Sequence, residues 1–163
     1  MSQRRAQELR GMGMTKLSFQ LEVEDGWPPV AAEVMECTQV DKSFRIESAP
    51  LFLKGLSVGD LIIATPDEEG RVWEWQHLVK SDRTTIWLAR LSLEAQGEID
   101  STLLKLRGLK CNVTRSEALG CFAIDVPADC PIDDVDRCLA PLAPDRVAVA
   151  FPSFRNEEGE TEG

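Results

Sequence analysis

The hydrophobic pattern of the chain changes near Ser81, and this change constrains the fold more than any other feature. Before Ser81, apolar and polar residues alternate in short runs, which is the pattern of half-buried β-strands. After it, apolar residues also recur at helical spacing, three or four positions apart. A chain that begins with strands alone and continues with strands and helices is predicted to have an α+β fold.

The first half, residues 17–81, predicts five short strands. In the first strand, four apolar residues alternate with polar ones: Leu17, Phe19, Leu21 and Val23. The other four are expected at residues 30–37, 43–48, 58–64 and 71–79. Glycines and acidic residues between them favour turns: Gly55, Gly59-Asp60 and Asp67-Glu68-Glu69-Gly70. Five short strands at this spacing predict a small antiparallel β-barrel or a strongly bent sheet.

The second half, residues 82–154, predicts the order strand, helix, strand, strand, helix, strand. The strands are expected at residues 84–91, 111–116, 119–126 and 147–151. One helix carries Ile99, Leu103 and Leu106 and is predicted to end with Gly108 as its cap, and the other begins at Pro131 and buries Ile132, Val135 and Leu139. This order is typical of a ferredoxin-like βαββαβ unit.

The two ends differ from the body in composition. Residues 1–16 have a local charge of +3 and predict a flexible basic leader, in which Met14 is a second candidate start of translation. Residues 155–163 hold four glutamates among glycine and threonine, which predicts a disordered acidic tail.

The net charge excludes several classes of partner. The chain has 28 acidic and 18 basic residues, a net charge of −10 and a pI near 4.6. Such a protein repels nucleic acid phosphates and attracts basic proteins, so we expect a basic protein partner and no direct nucleic acid binding. No apolar run approaches the ~20 residues of a membrane helix, and Arg4 and Arg5 precede no apolar signal core. We therefore expect a cytoplasmic protein that does not bind membranes.

Catalysis and metal binding lack the residues that they need. His77 is the single histidine, and the five cysteines include no C-x-x-C pair. A thiolate pair of Cys121 with His77 is disfavoured, because the apolar run around Cys121 predicts an inert, buried thiol. We expect no catalytic set, no metal and no cofactor, and so no enzyme.

Residues 71–80 form the most unusual predicted strand. One face carries Trp73, Trp75, His77 and Val79. We interpret this face as barrel core, because large aromatic side chains dominate small cores. A ligand pocket lined by Trp73, Trp75 and His77, or an aromatic partner interface, stays open as an alternative.

Acidic clusters and one tryptophan are candidates for partner binding. The clusters are a turn and a helix start, each of which also suits plain solvated surface: Asp67, Glu68, Glu69 and Asp133, Asp134, Asp136. Trp27 lies in Asp25-Gly26-Trp27-Pro28-Pro29, which suits either a rigid structural turn or an indole presented to a partner.

Several blocks of the sequence form a recognisable set: Glu24 to Val30, Ala49 to Phe52 with Gly55, Val58 to Asp60, Gly108 to Cys111, and Ala123 to Pro127. Together they resemble an uncharacterised bacterial family, the domain-of-unknown-function 4265 family. The resemblance spans residues 17 to 150 and implies the extent of the domain. It implies no activity, since the family brings none.

Two classes of function follow from these patterns. The first is a small, acidic, non-catalytic binding protein, with an immunity-type inhibitor of a basic protein target as its most specific form. The second is a small-ligand or regulatory module, with a site in the tryptophan-lined barrel or between the two halves.

Overall fold

The computed structural model describes residues 13–155, and within them the chain forms ten strands and two helices. The strands are β1 Met14–Gln20, β2 Ala32–Val40, β3 Ser43–Ile46, β4 Leu61–Ala64, β5 Arg71–Val72, β6 Trp75–Val79, β7 Thr84–Arg90, β8 Asn112–Ser116, β9 Cys121–Val126 and β10 Val147–Ser153. The helices are α1 Gln96–Gly108, which follows a 3-10 turn at Leu93–Ala95, and α2 Ile132–Leu139. The predicted α+β class is confirmed.

The first sheet is curled into a half barrel. Its order is β5-β1-β2-β3-β4-β6, with β5 parallel to β1 and every other pair antiparallel. The sheet is therefore mixed and not wholly antiparallel as predicted. Its interior is filled by side chains from β1 to β5 and from the loop after β3: Leu17, Phe19, Met35, Cys37, Phe44, Ile46, Leu53, Leu56, Ile62 and Val72.

The predicted single strand over residues 71–79 is wrong, because Trp73 and Glu74 interrupt it between β5 and β6. At the start of residues 71–79, β5 pairs with β1, and at their end β6 pairs with β4. A straight strand cannot follow both edges of a curled sheet, so the segment bends between them. The expected core face is kept only in part as a result: Trp73 is 66% exposed and Val79 is 54% exposed, whereas Trp75 packs against the core.

The second sheet is antiparallel, in the order β10-β7-β9-β8. Both helices pack on one face of it, because their buried residues share a core with alternate residues of β7 and β9. The apolar members of that core on the sheet and helices include Ile86, Leu88, Phe122, Ile124, Ile99, Leu103, Leu106, Val135 and Leu139. The opposite face of β7 and β10 carries Trp87, Ala89, Ala148 and Ala150. No helix within residues 13–155 has the length and apolar character that crossing a bilayer requires.

The structure changes three predicted boundaries. Gly108 ends α1 but does not have a left-handed backbone, which Lys110 adopts instead with φ 71°. Met14 begins β1, inside the predicted leader, and Arg155 is buried instead of beginning the tail. Residues 1–12 and 156–163 lie outside the described residues.

Glu33 fixes the loop between β3 and β4. It falls in phase with the buried Met35 and Cys37 of β2 and is itself only 9% exposed. Its carboxylate accepts hydrogen bonds from the backbone N–H groups of Leu51, Phe52 and Leu53, the last two at 2.9 and 3.0 Å. Burial raises the pKa of this carboxyl above its ordinary value, against the effect of these three donors.

We predict that Glu33→Ala destabilises the protein by about 1–3 kcal/mol, because it leaves buried backbone donors unsatisfied. Glu36→Ala, on the exposed face of the same strand, is the control and should change the free energy of unfolding by less than about 0.5 kcal/mol. Urea unfolding of the two variants measures the difference. Equal effects would show that the loop does not depend on Glu33.

Candidate functional site

A rigid hairpin presents Trp27. Asp25 and Gly26 both have positive φ, 54° and 78°, as the two central residues of a type I′ turn require. Glu24 and Trp27 exchange two backbone hydrogen bonds across this turn, at 2.9 and 3.0 Å. The predicted turn is therefore present, and it holds the indole in a defined position.

The Trp27 side chain is half-buried. It is 52% exposed, and its ring packs edge-on against Phe52 with 5.8 Å between ring centroids. An exposed indole with a fixed orientation is unusual, because a large apolar side chain normally gains from burial. Trp27 also lines two separate cavities.

The first cavity is an apolar cleft of about 260 Å³ between the two halves of the chain. We call it the apolar cleft, and it is lined by Trp27, Leu51, Trp87, Leu88, Ala89, Cys121, Phe122, Ala148 and Ala150. All of these residues are apolar, and three of them are alanines, which have small side chains. The indole N–H of Trp87 donates to the carbonyl of Pro50 at 2.7 Å, which satisfies that polar group and fixes the wall.

The second cavity is acidic and has a volume of about 490 Å³. We call it the acidic cavity, and it is lined by Gln20, Leu21, Glu22, Glu24, Trp27, Pro28, Phe52, Leu53 and Lys54. Neither Glu22 nor Glu24 forms an ion pair within residues 13–155. Two carboxylates beside an indole face form a surface that a cationic side chain can occupy, with Lys54 as the one basic group in the lining.

The predicted pocket of Trp73, Trp75 and His77 is divided in the structure. Trp73 and Trp75 line a surface groove of about 450 Å³ together with residues of β4. Trp75 packs edge-on against Phe19 and against His77, with centroid distances of 6.5 and 5.2 Å. His77 does not line this groove, since its Nε2 contacts Asp60 Oδ2 at 2.9 Å.

Asp60 and Arg155 form a buried ion pair that sequence reasoning missed. Both carboxylate oxygens of Asp60 accept from the guanidinium of Arg155, at 2.8 and 2.9 Å. Backbone N–H groups of Ser57 and Ser81 also donate to Asp60, at 3.0 and 2.8 Å. Burial raises the pKa of Asp60, but these donors, with Arg155 the strongest, outweigh burial and hold the pKa below its ordinary value of 3.8.

The two predicted acidic clusters lie away from both cavities that Trp27 lines. In the turn before β5, Asp67 accepts from Arg71 at 2.9 Å and Glu69 pairs with Arg71 at 3.2 Å, so the cluster is partly neutralised. The helix-start cluster lies in α2, where Asp134 pairs with Arg137 at 3.2 Å. None of the six predicted acidic residues, all within the described chain, is among the residues lining either cavity: Asp67, Glu68, Glu69, Asp133, Asp134 and Asp136.

The thiols in the core are poor nucleophiles. Burial raises the pKa of Cys37 and of Cys111 to about 12, and burial also raises the pKa of Cys121. Cys121 lies in the wall of the apolar cleft and therefore contributes packing surface there.

Comparison with known proteins assigns the chain to a family. The model of a domain of unknown function, DUF4265, matches residues 33–148. The chain belongs to this family. The match begins after the Trp27 hairpin, so the hairpin block, on which part of the resemblance rested, lies outside it. A search of curated proteins gave no match.

A solved structure shares the fold. It is the crystal structure of a hypothetical protein from Neisseria gonorrhoeae, with a TM-score of 0.67 and 16% sequence identity to this member of the DUF4265 family. The alignment covers 88% of this chain and 96% of that chain. At this identity the similarity supports the arrangement of the elements and nothing about activity.

We predict that Arg155→Ala destabilises the protein by about 3–5 kcal/mol, because it leaves the fully buried Asp60 carboxylate without its cation. Arg146→Ala is the control: its pair with Glu98 at 2.8 Å is about one-third exposed, and its loss should change stability by less than about 1 kcal/mol. Chemical unfolding at neutral pH measures both. A small effect of Arg155→Ala would contradict the prediction and would show that the other hydrogen-bond partners of Asp60 suffice to stabilise its carboxylate.

The depressed pKa of Asp60 predicts an acid dependence of stability. An acid with a lowered pKa in the folded state stabilises that state above the unfolded pKa, here 3.8, and loses this contribution as the pH falls through the folded pKa. The difference in unfolding free energy between wild type and Asp60→Asn should therefore be constant above about pH 5 and shrink below pH 3.8. Urea unfolding between about pH 5 and pH 2 tests it, and a difference that grows on acidification would contradict it.

Proposed function

We propose that this protein is a small, acidic, non-catalytic binding protein that docks on a basic protein through the surface around Trp27. One observation carries the proposal: Trp27 is 52% exposed yet held in place by a tight turn and by Phe52. Such preorganised aromatic side chains contribute strongly to protein interfaces, because little conformational entropy is lost on binding.

The charge of the protein supports a basic partner. Residues 13–155 contain 23 acidic and 15 basic residues, so the described chain has a net charge of −8. Glu22, Glu24 and Asp25 add three carboxylates to the Trp27 hairpin itself. A field of this sign raises the rate of encounter with a cationic surface, and the local carboxylates favour docking at the hairpin.

The arrangement of the polar residues supports binding instead of catalysis. His77, the single histidine, is hydrogen-bonded to Asp60, whose carboxylate also holds Arg155. The buried hydroxyl of Ser57 is engaged by those of Thr85 and Ser153, both at 2.9 Å. The contacts of Asp60 with Arg155 and of Ser57 with Thr85 and Ser153 join the two halves of the chain. An immunity-type inhibitor, which needs only to cover the active site of a basic toxin, is the most specific form of this proposal.

A capture experiment with matched variants tests the proposal. The tagged chain is incubated with extract of the native host at low and at physiological salt, alongside Trp27→Ala and the exposed-tryptophan control Trp73→Ala. We expect wild type and Trp73→Ala to retain one basic protein in stoichiometric amount, with association slowed by salt. Trp27→Ala should weaken that complex at least about tenfold. Capture that is equally sensitive to both substitutions, or that yields no basic protein, contradicts the proposal.

A second candidate function is a small-ligand or regulatory module that binds in the apolar cleft. The cleft favours this candidate because it lies between the two halves and is lined almost wholly by apolar side chains. A thermal-shift screen of metabolites and nucleotides distinguishes the two functions, since a ligand at 100 times its Kd stabilises the protein by about 2.7 kcal/mol.

We also infer that residues 82–154 form a ferredoxin-like unit and residues 17–81 a separate curled β unit, in a protein of the cytoplasm. The strand order β10-β7-β9-β8, with both helices on one face, supports the first inference. The two separate apolar cores support the division. Five free cysteines support a reducing compartment.

A further inference from the structure

The two cavities beside Trp27 point to a specific kind of partner segment. We propose that the protein recognises an extended segment of its basic partner that carries an arginine or lysine and, two residues away, one large apolar side chain. The cation enters the acidic cavity and the apolar side chain enters the apolar cleft. This inference rests on the proposed function and specifies the chemistry of its docking site.

The acidic cavity selects the charge of the first group. Glu22 and Glu24 line it together with the half-exposed Trp27 and form no ion pair within the described residues. A guanidinium in this position gains from the two carboxylates and from the aromatic face together. Lys54 lies in the same lining and limits the cavity to one added cation instead of a cluster.

The apolar cleft selects the size of the second group. Its volume of about 260 Å³ lies near the lower end of the roughly 300–1,000 Å³ of small-molecule sites, and it accommodates a single phenylalanine, leucine or methionine side chain. Ala148 and Ala150 are among its lining residues, and larger side chains at these positions would fill part of the space. The walls, Trp27 and Trp87, offer aromatic surface to an inserted side chain.

The shared wall sets the spacing of the two groups. Trp27 is among the residues that line both cavities, so groups that occupy them are neighbours across this one residue. In an extended chain, alternate side chains on one face are about 7 Å apart. A spacing of two residues therefore places a cation and an apolar group in neighbouring cavities without a turn between them.

The test uses the full chain labelled with ¹⁵N, because its four tryptophans give four indole N–H signals. The probes are short capped peptides containing Arg-Ser-Phe, with Gln-Ser-Phe and Arg-Ser-Ala as controls. We expect Arg-Ser-Phe to shift the signals of Trp27 and Trp87 at about millimolar concentration and to leave those of Trp73 and Trp75 unchanged. Each control peptide should bind about tenfold more weakly.

Variants separate the two cavities. The double variant Glu22→Gln/Glu24→Gln should lose the preference for arginine over glutamine and keep the preference for phenylalanine. Ala148→Leu adds bulk inside the cleft, so it should lose the preference for phenylalanine over alanine and keep the preference for arginine over glutamine. Val149→Leu, at the next position of β10, is its control and should leave both preferences intact. Octanoate and benzyl alcohol are included to detect a free apolar ligand.

The outcomes distinguish this inference from the proposed function. Three results would overturn the inference. The first is shifts confined to Trp73 and Trp75, and the second is equal binding of all three peptides. The third is that octanoate or benzyl alcohol shifts the signals of Trp27 and Trp87 but the Arg-Ser-Phe peptide does not. If the basic partner is captured in a Trp27-dependent way but Ala148→Leu leaves that capture unchanged, the inference fails and the proposed function stands. If capture itself does not depend on Trp27, the proposed function fails.

Discussion

The buried ion pair between Asp60 and Arg155 is the contact on which the relation of the two halves depends. Asp60 precedes β4 of the first sheet, and Arg155 follows β10 of the second, 95 positions later. A charged group in a protein interior is tolerated only when its hydrogen-bonding capacity is used. Both Asp60 and Arg155 meet this condition. Arg155 donates to both oxygens of Asp60 and also to the carbonyls of Ser81 and Gly55, at 2.7 and 3.1 Å. The pair thereby joins the two sheets and, through the carbonyl of Ser81, also holds the segment that connects the two halves.

The loop between β3 and β4 transmits this constraint to the candidate site. Glu33 holds one part of the loop from the first sheet. The second sheet holds other parts of it, through Thr85, whose hydroxyl donates to the carbonyl of Leu56 at 3.2 Å, and through Trp87 at Pro50. Leu51 lies within this loop and forms part of the apolar cleft. The shape of the cleft therefore depends on these polar contacts, since they set where the loop meets the second sheet.

The elements of the second half were predictable because they depend on local patterns. The helical spacing of Ile99, Leu103 and Leu106 and the position of Pro131 both correspond to helices in the structure. The break at Trp73 was not predictable, because the alternation of residues continues through it and only the two edges of the sheet require the bend. The sequence pattern places Arg155 in the tail because the residues that follow it are acidic, and no local pattern reveals a partner 95 positions away. For the site, Trp27 was identified from its turn, whereas Glu33 could have been found from its phase with Met35 and Cys37.

The charged groups that stabilise the fold differ from those that the proposed docking would use. Three acidic residues are buried, Glu33, Asp60 and Asp125, and each has dedicated donors. Arg155 and Arg83 balance two of them, so the remaining 20 acidic and 13 basic residues of the described chain give the surface a net charge of −7. A surface charge of this size acts over about 8–10 Å in physiological salt and accelerates encounter, but it does not determine where a partner docks. Position must come from short-range contacts, and the Trp27 hairpin combines fixed geometry, uncompensated carboxylates and an adjoining apolar cleft. Under the proposed function, long-range attraction and local docking would use different groups, so substitutions at Trp27 and changes of salt are expected to act on different steps of binding.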